Sequence, residues 1–335
     1  MKTITKFLSV ALLAASAFAQ TAPNPDIEIL HIRKNLYLLT GAGGNITLSI
    51  GPDGIFMVDS GLANMSDKIL AAINKLSQQL NTAGQPEIAV PPPKPIRYIA
   101  NTHLHADHTG GNEKISKAGK TFTGGNVTGD LPDATEGAAI LAHENVLSRL
   151  SAQKPALPYS ALPTETYSKD VMKLSHFMNG EAIQLIHLRN AHTDGDSIVY
   201  FRGSDVIATG DIFVMTGYPF IDMERGGTLQ GIIDGLNHVL DLSISEFRTE
   251  GGTMIVPGHG RLCDTADLAY YRDMVTIIRD RIQADIKNGM SLAQVKDSKP
   301  TRDWDPRFGA TTGFWTTDMF VEAAYKSLTA PAAKK

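Results

Sequence analysis

Hydrophobic residues recur at every second position in several short stretches of the chain's first half, which is the period of a half-buried β-strand. The predicted strands of this half cover residues 27–32, 36–39, 46–50, 55–58 and 96–100. The sequence Gly-Pro-Asp-Gly at 51–54 predicts a tight turn that joins the third and fourth strands into a hairpin. Before the fifth strand, helical spacing of the hydrophobic residues predicts a helix over 65–80, with Ser66 as its N-cap.

The second half repeats this arrangement of short strands with helices between or after them. Strands are predicted at 182–188, 197–201, 206–209 and 254–256. Helices are predicted at 143–150, 228–240, 264–286 and 314–325. Two sets of strands, each with its own helices, predict a layered α/β fold with two sheets inside and helices outside.

The N-terminus has the pattern of a bacterial secretory signal peptide over residues 1–19. Lys2 and Lys6 supply a positive start, residues 7–18 are mostly apolar, and Ala17-Phe18-Ala19 matches a cleavage site. The apolar run is too short to span a bilayer as a stable helix. We therefore predict export to the periplasm or the medium; an uncleaved anchor or an amphipathic helix is the alternative.

Composition narrows the classes of protein that this chain can represent. With 335 residues and a net charge of −4, the chain can bury a sizeable core and lacks the basic character of a nucleic-acid-binding protein. Its single cysteine excludes an intramolecular disulfide scaffold. A mean hydropathy of −0.10 excludes a protein with many membrane spans. The oligomeric state stays open.

The segment 101–112 concentrates the chemistry of the chain, because it contains the pattern His-x-His-x-Asp-His directly after a predicted strand. In an extended segment, His103 and His105 point the same way, so their imidazoles can form half of a metal site. Asp107 and His108 follow where the chain turns, and they can face a second point nearby.

Three further candidate ligands also follow predicted strands. His192 lies in Ala-His-Thr-Asp-Gly-Asp-Ser between two strands, Asp211 follows strand 206–209, and His259 follows strand 254–256. A rigid sheet positions groups at its strand ends, so these residues are predicted to converge on the 103–108 segment.

This order of motifs, together with Val-Asp-Ser-Gly at 58–61, resembles the metallo-β-lactamase superfamily over most of residues 27–262. The resemblance implies a four-layer αββα sandwich with a dinuclear metal centre at one edge. It also implies one metallo-β-lactamase-like domain over 20–335, which includes a C-terminal helical region at 264–330.

The resemblance implies seven metal ligands in two groups that share one carboxylate. These are His103, His105 and His192 on one metal, Asp107, His108 and His259 on the other, and Asp211 between them. It further implies two Zn²⁺ ions, with iron as an alternative, and a bridging hydroxide that replaces a nucleophilic Ser or Cys. Asp107 and Asp211 are the predicted catalytic residues, since Asp107 can also orient the hydroxide or move a proton to the leaving group. Asp59 is implied to hold a ligand histidine by its other ring N–H.

The remaining histidines, the cysteine and two nearby carboxylates are predicted to have structural roles only. They are His31, His143, His176, His187, His238, Cys263, Asp194 and Asp196. Of these, His143 comes nearest to a functional alternative, because it follows a strand-like run and could approach the cleft.

The position of Asp211 bears on the substrate. The best-known β-lactamases of the superfamily have Cys or Ser there, whereas glyoxalase II-like thioesterases and acyl-homoserine lactonases carry a bridging Asp. The predicted function is therefore hydrolysis of a small ester, lactone, thioester or amide, with a β-lactam still possible. A mononuclear iron oxidoreductase resembling persulfide dioxygenases is the alternative from another class, and a non-catalytic metal-binding protein is a third.

The segment 213–227, directly after Asp211, is predicted to form part of the substrate wall through Tyr218 and Phe220. The alternative is a surface loop that packs its own aromatic residues.

Overall fold

The computed structural model describes residues 26–82, 92–121, 137–174, 178–243 and 251–330. The predicted signal peptide and His176 lie outside these ranges. No helix within them is long and apolar enough to cross a membrane.

The first sheet has seven strands in chain order, from β1 at one edge to β7 at the other. The strands are β1 (Glu28–Arg33), β2 (Leu36–Thr40), β3 (Ile46–Gly51), β4 (Gly54–Val58), β5 (Ile96–Ala100), β6 (Ala139–His143) and β7 (Glu165–Tyr167). Strands β1 to β4 pair antiparallel, and β4 to β7 pair parallel. The parallel part places the ends of β4 and β5 at the same edge.

The second sheet has six strands in the order β13-β12-β11-β10-β9-β8. The strands are β8 (Val171–Lys173), β9 (Ile183–His187), β10 (Ser197–Phe201), β11 (Val206–Ala208), β12 (Met254–Val256) and β13 (Cys263–Asp264). Only β11 and β12 pair parallel in this sheet, so their ends also meet at one edge.

The α-helices lie after or between the strands. They are α1 (Ser66–Thr82), α2 (Ala106–Thr109), α3 (Asn112–Ala118), α4 (Glu144–Ser151), α5 (Leu229–Leu242), α6 (Thr265–Lys287), α7 (Leu292–Ser298), α8 (Asp305–Phe308) and α9 (Thr317–Thr329). Helix α6 begins with a capping box, in which the side chain of Asp264 accepts from the Asp267 N–H and the Asp267 carboxylate accepts from the Asp264 N–H.

Three groups of buried apolar side chains define the layers. One lies between the sheets and joins residues such as Phe56 of the first sheet to Phe201 of the second. A second packs helix α1, through Ile69 and Ile73, on the outer face of the first sheet. A third packs α5, α6 and α9 on the outer face of the second sheet. The predicted αββα sandwich with C-terminal helices is thus confirmed.

The structure departs from the sequence-based prediction in one interior strand, in the short edge elements and near the C-terminus. Strand β6 was noted only as a strand-like run before His143, because all five of its residues are buried and show no alternation. Strands β7, β8 and β13 were not predicted, because two or three residues give no readable period. The last helix begins at Thr317 rather than at 314, since Thr316 is its N-cap. Residues 314 and 315 therefore belong to the preceding loop.

Candidate metal centre

The candidate ligands lie where strands of both sheets end at one edge of the sandwich. His103 and His105 follow β5, and Asp107 and His108 lie in the short helix α2. Asp211 lies in the turn after β11. The last two, His192 and His259, lie in the β9–β10 loop and directly after β12. The structure brings all seven together, and their assignment as ligands stays a prediction.

Four of these side chains form the first group, which consists of His103, His105, His192 and Asp211. Their potential ligand atoms all lie within 4.8 Å of one another. The Nε2 atoms of His103 and His192 lie 3.8 and 3.9 Å from Asp211 Oδ2. The nitrogens His192 Nε2 and His105 Nδ1 are 2.9 Å apart. Three imidazoles and one carboxylate oxygen so placed match the donor set of a Zn²⁺ or Fe²⁺ site.

The second group consists of Asp107, His108 and His259. Asp107 Oδ2 lies 3.1 Å from His259 Nε2 and 3.7 Å from His108 Nε2. The other oxygen of Asp211, Oδ1, lies 3.2 Å from His108 Nε2 and 3.5 Å from His259 Nε2. Asp211 therefore presents one oxygen to each group, which is the geometry that a bridging carboxylate requires.

Four of the five candidate imidazoles are held by one ring nitrogen and present the other to the centre. His103 Nδ1 contacts the hydroxyl of Thr102 at 3.0 Å, and His192 Nδ1 donates to the carbonyl of Phe220 at 2.6 Å. His105 Nε2 donates to Asp222 Oδ2 at 2.8 Å. These contacts fix the ring orientations and turn the other ring nitrogen towards the ligand cluster.

The fourth ring, that of His108, is held by the carboxylate of Asp59. Its Oδ2 accepts from His108 Nδ1 at 2.8 Å, and its Oδ1 accepts from the backbone N–H of Thr102 at 2.7 Å. The Asp59 backbone has a φ of +62°, in the left-handed region that a non-glycine residue rarely adopts. The end of β4 is thus tied to both sides of the His-rich segment.

Two histidines of the first group are held neutral. Burial lowers the pKa of His103 well below its ordinary value, and the neighbouring His108 lowers it further. Burial likewise lowers the pKa of His192 to about 4, although Asp211 opposes this shift. A neutral imidazole is the form that binds a metal ion.

The second group carries positive charge when no cation is bound. Burial opposes protonation of His108, but the carboxylates of Asp211 and Asp59 outweigh it and raise the pKa of His108 well above its ordinary value. Burial is also outweighed at His259, where the neighbouring carboxylates of Asp107 and Asp211 raise the pKa to about 9. For Asp211, burial acts to raise the pKa, but His108 and the other imidazoles hold it well below its ordinary value.

Two buried polar atoms at the centre lack a hydrogen-bond partner among the described residues. They are His103 Nε2 and Asp211 Oδ1. Buried polar atoms without a partner are costly, and both atoms point into the ligand cluster. These orphaned donor atoms, together with the donor types, fit a site for metal cations.

A cavity of about 1020 Å³ opens over the ligand cluster. Its lining includes His105, Asp107, Asp211 and His259 from the cluster, Lys154 and Arg225 at the sides, and Val214, Phe220, Phe308, Phe314 and Trp315 as apolar walls. A small molecule in this cavity would reach the metal centre directly.

Both predicted wall residues line this cavity, but in different ways. Phe220 faces it and contacts the rings of His105 and His192, with centroids 5.7 and 5.5 Å apart. Tyr218 is almost fully buried, and its hydroxyl donates to Asp305 Oδ1 and to the carbonyl of Thr301. Tyr218 therefore supports the wall with its ring, while its hydroxyl is occupied elsewhere.

The residues assigned structural roles lie outside the cluster. His143 stacks on His187 with ring centroids 3.7 Å apart, so it does not reach the cleft. Cys263 is buried, and burial raises its thiol pKa to about 12. The other residues of this set that the structure describes make local contacts: His31 with Lys34, Asp194 with Arg149, and Asp196 with Thr193. His238 lines a separate surface cavity.

Sequence analysis missed Asp222, Arg225, Phe314 and Trp315. Asp222 holds His105 and also pairs with Arg225, whose Nη1 lies 3.0 Å from Asp222 Oδ2. No motif or period marks Asp222, because it meets His105 only through the folding of the 213–227 segment. The two aromatic residues were placed in a helix, whereas they lie in the loop that lines the cavity.

The model of the metallo-beta-lactamase superfamily matches residues 39–259, about two thirds of the chain. The chain belongs to this superfamily. Members of the superfamily are generally metal-dependent hydrolases. No match was found among the curated proteins.

Solved structures of the superfamily share the fold. The DIM-1 metallo-beta-lactamase is 15% identical with a TM-score of 0.52, covering 75% of this chain and 98% of its own. A metallo-beta-lactamase from Pontibacter korlensis is 15% identical with a TM-score of 0.53, covering 75% of this chain and 99% of its own. The sec-alkylsulfatase Pisa1 from Pseudomonas sp. is 15% identical with a TM-score of 0.57, covering 90% of this chain and 50% of its own. At this identity, the likeness shows the fold alone.

Proposed function

We propose that this protein is an exported, dinuclear metal-dependent hydrolase that cleaves a small ester, lactone, thioester or amide. The observation that carries the proposal is the pair of ligand groups that share Asp211 at the floor of an open cavity. A purely structural metal site is closed by its ligands, whereas a catalytic site remains open to substrate.

One cation would be held by His103, His105 and His192. The other would be held by Asp107, His108 and His259, and Asp211 would bind both. Bound Zn²⁺ ions would lower the pKa of a shared water and polarise the substrate carbonyl. The chain's own task is to fix the ligands, which Asp59, Asp222 and the Phe220 carbonyl do through the ring N–H groups.

Asp107 is the candidate for moving a proton. Its side chain is one-third exposed and lines the cavity. Burial acts to raise its pKa, but the hydrogen bond with His259 and the charge of His108 outweigh this effect and lower it. Its carboxylate is therefore ionised at neutral pH, and the oxygen that does not hold the cation could accept a proton from the attacking water and pass it to the leaving group.

The bridging Asp211 favours esters, lactones and thioesters over β-lactams, since the resemblance to thioesterases and lactonases rests on that residue. The likeness to an alkylsulfatase structure, which covers 90% of this chain, adds sulfate esters to the substrates worth testing.

The deciding experiment is a hydrolysis panel with metal content measured in parallel. Aryl esters, lactones, thioesters, alkyl sulfates and β-lactams would be tested with protein purified without added metal. We expect about two zinc ions per chain and turnover of an acyl substrate. About one iron per chain and no hydrolysis would instead support the mononuclear oxidoreductase.

The variant Asp211→Ala tests the shared carboxylate. We expect turnover to fall by roughly a thousandfold or more, because both metal positions lose a ligand. Metal content by mass spectrometry should fall with it, while the circular dichroism spectrum stays unchanged. Full turnover in this variant would contradict the dinuclear mechanism.

Export is tested on the full chain in a bacterial host. We expect the mature protein in the periplasm or medium to begin at Gln20, as the predicted cleavage site requires. Protein that still begins at Met1 and stays in the cell pellet would contradict export.

A further inference from the structure

A series of aromatic contacts leads away from the candidate ligands. The ring of Phe220 contacts His105 and His192. The same ring packs against Trp315 and Phe314, with ring centroids 4.7 and 5.2 Å apart. Apolar contact therefore continues from the metal centre to the loop before α9.

A second cavity, of about 610 Å³, lies beyond these rings. It shares Phe220, Asp222, Arg225, Phe314 and Trp315 with the cavity over the ligands. Its further lining includes Met223, Met319 and Ala323. Because five residues border both spaces, the second cavity directly adjoins the first.

The side chains of this extension are unusually exposed for apolar residues. Phe314 is 79% exposed, Met319 44% and Met223 37%. Apolar surface collected beside a polar rim commonly marks a binding site. Glu322 and Lys326 supply part of that rim here.

The loop that carries Phe314 is fixed in place by hydrogen bonds. The indole N–H of Trp315 donates to the carbonyl of Pro219 at 3.2 Å. The backbone N–H of Thr317 donates to the carbonyl of Ala310 at 2.8 Å, and the Ala310 N–H donates to Thr317 Oγ1 at 3.0 Å. The exposure of Phe314 therefore belongs to a defined conformation.

From this continuity we infer that the second cavity binds the apolar tail of the substrate. The inference rests on the proposed function and narrows its substrate to an amphiphile, an ester or related compound with a long acyl or alkyl chain. The scissile bond would lie over the ligand cluster, and the chain would pass Phe220 and Phe314 towards Met223 and Met319. The residues that form this tail site come partly from 314–326, beyond the part of the chain that matches the family.

The first test is a chain-length series of p-nitrophenyl esters from acetate to octanoate. We expect kcat/KM to rise about two- to fourfold with each added CH₂ that enters the tail site. A series without dependence on chain length would overturn the inference while leaving the hydrolase proposal intact.

The variant Met319→Glu places a charge in the tail site. We expect it to lower the ratio of octanoate to acetate kcat/KM by about tenfold or more. Ile277→Glu is the matched control, since Ile277 is also half-exposed on a helix and lines no part of the site. An equal effect of both variants would contradict a tail site at Met319.

Binding is tested independently of turnover through Trp315 fluorescence. The variant Trp304→Phe leaves Trp315 as the only tryptophan. We expect decanoate, with and without chelator, to change its emission saturably, and acetate to leave it unchanged. The change should be lost when Met319→Glu is added.

The outcomes separate the two proposals. A saturable decanoate signal without hydrolysis of any ester would refute the proposed function and keep the tail site. Absence of the decanoate signal would overturn the tail site, whatever the esters show.

Discussion

At the scale of single residues, the centre depends on what holds the second nitrogen of each imidazole. Asp59 holds His108, Asp222 holds His105, and a backbone carbonyl holds His192. A metal ligand that is oriented in this way loses little conformational entropy on binding, and its tautomer is already correct.

Asp222 gives a prediction that separates orientation from ligation. We expect Asp222→Ala to weaken zinc binding by about 10–100-fold, because His105 loses the acceptor that orients its ring. Competition with a chromophoric chelator would measure this affinity, and Asp222→Asn, which keeps an acceptor, should recover part of it. Asp303→Ala is the control, since it removes a carboxylate from a surface pair with Arg281. Equal affinities in all variants would contradict an orienting role for Asp222.

His192 gives a prediction about pH and stability in the metal-free protein. Its pKa is about 4 in the folded state, because of burial, and about 6.5 in an unfolded chain. Between these values the unfolded state binds more protons, so acidification from pH 6.5 to 4 destabilises the fold, by about 3 kcal/mol from this group.

Thermal or urea unfolding across this pH range would measure the effect. The variant His192→Asn should lose this part of the slope, because asparagine does not titrate there and can still donate to the Phe220 carbonyl. An unchanged slope in the variant would show that other groups cause it.

At the scale of elements, the parallel pairs β4–β5 and β11–β12 bring the candidate ligands together. Parallel neighbours end at the same edge, so Asp59 and His103 emerge side by side from one sheet, and Asp211 and His259 from the other. The backbones after β11 and β12 then approach closely, with Gly258 N–H donating to the Gly210 carbonyl at 3.0 Å.

This close approach predicts the effect of Gly258→Ala. A Cβ at this position would lie 1.9 Å from Asp211 Oδ1, so the carboxylate or the loop must move. We expect loss of metal from the second group and at least about a tenfold fall in turnover, measured as zinc per chain and kcat. Gly180→Asn is the control, because an added Cβ there meets nothing within 4 Å and asparagine tolerates the positive φ of +80°. Full zinc content and activity in Gly258→Ala would contradict this packing.

At the scale of the whole molecule, the centre lies where the two sheets meet, so bound cations would link both halves of the sandwich. His103, Asp107 and His108 come from the first sheet's side, and Asp211 and His259 from the second. Metal binding and global stability should therefore be coupled.

Chelation tests this coupling. Metal at 100 times its Kd adds about 2.7 kcal/mol to stability, so its removal should lower Tm by roughly 5 °C or more. Re-addition of zinc should restore Tm in differential scanning fluorimetry, and Asp211→Ala should respond much less. A Tm that is indifferent to zinc would contradict a site that joins the sheets.

The sequence by itself determined the layered fold, the longer elements and the candidate ligands. Apolar periodicity over five or more residues reflects which face is buried, and the spacing of His-x-His-x-Asp-His predicts the donor types of the centre from one short segment. Asp59 was implied by the resemblance to the family, through the strand-end motif at 58–61.

Only the tertiary structure decided what surrounds those ligands. Asp222 lies 117 residues from His105 along the chain, and Phe314 and Trp315 lie more than 90 residues from Phe220. Such contacts leave no local pattern, since they arise when the 213–227 segment and the loop before α9 pack over one edge of the sandwich. The ligand types are therefore a property of the sequence, whereas the shape of the cavity and the support of the rings belong to the fold.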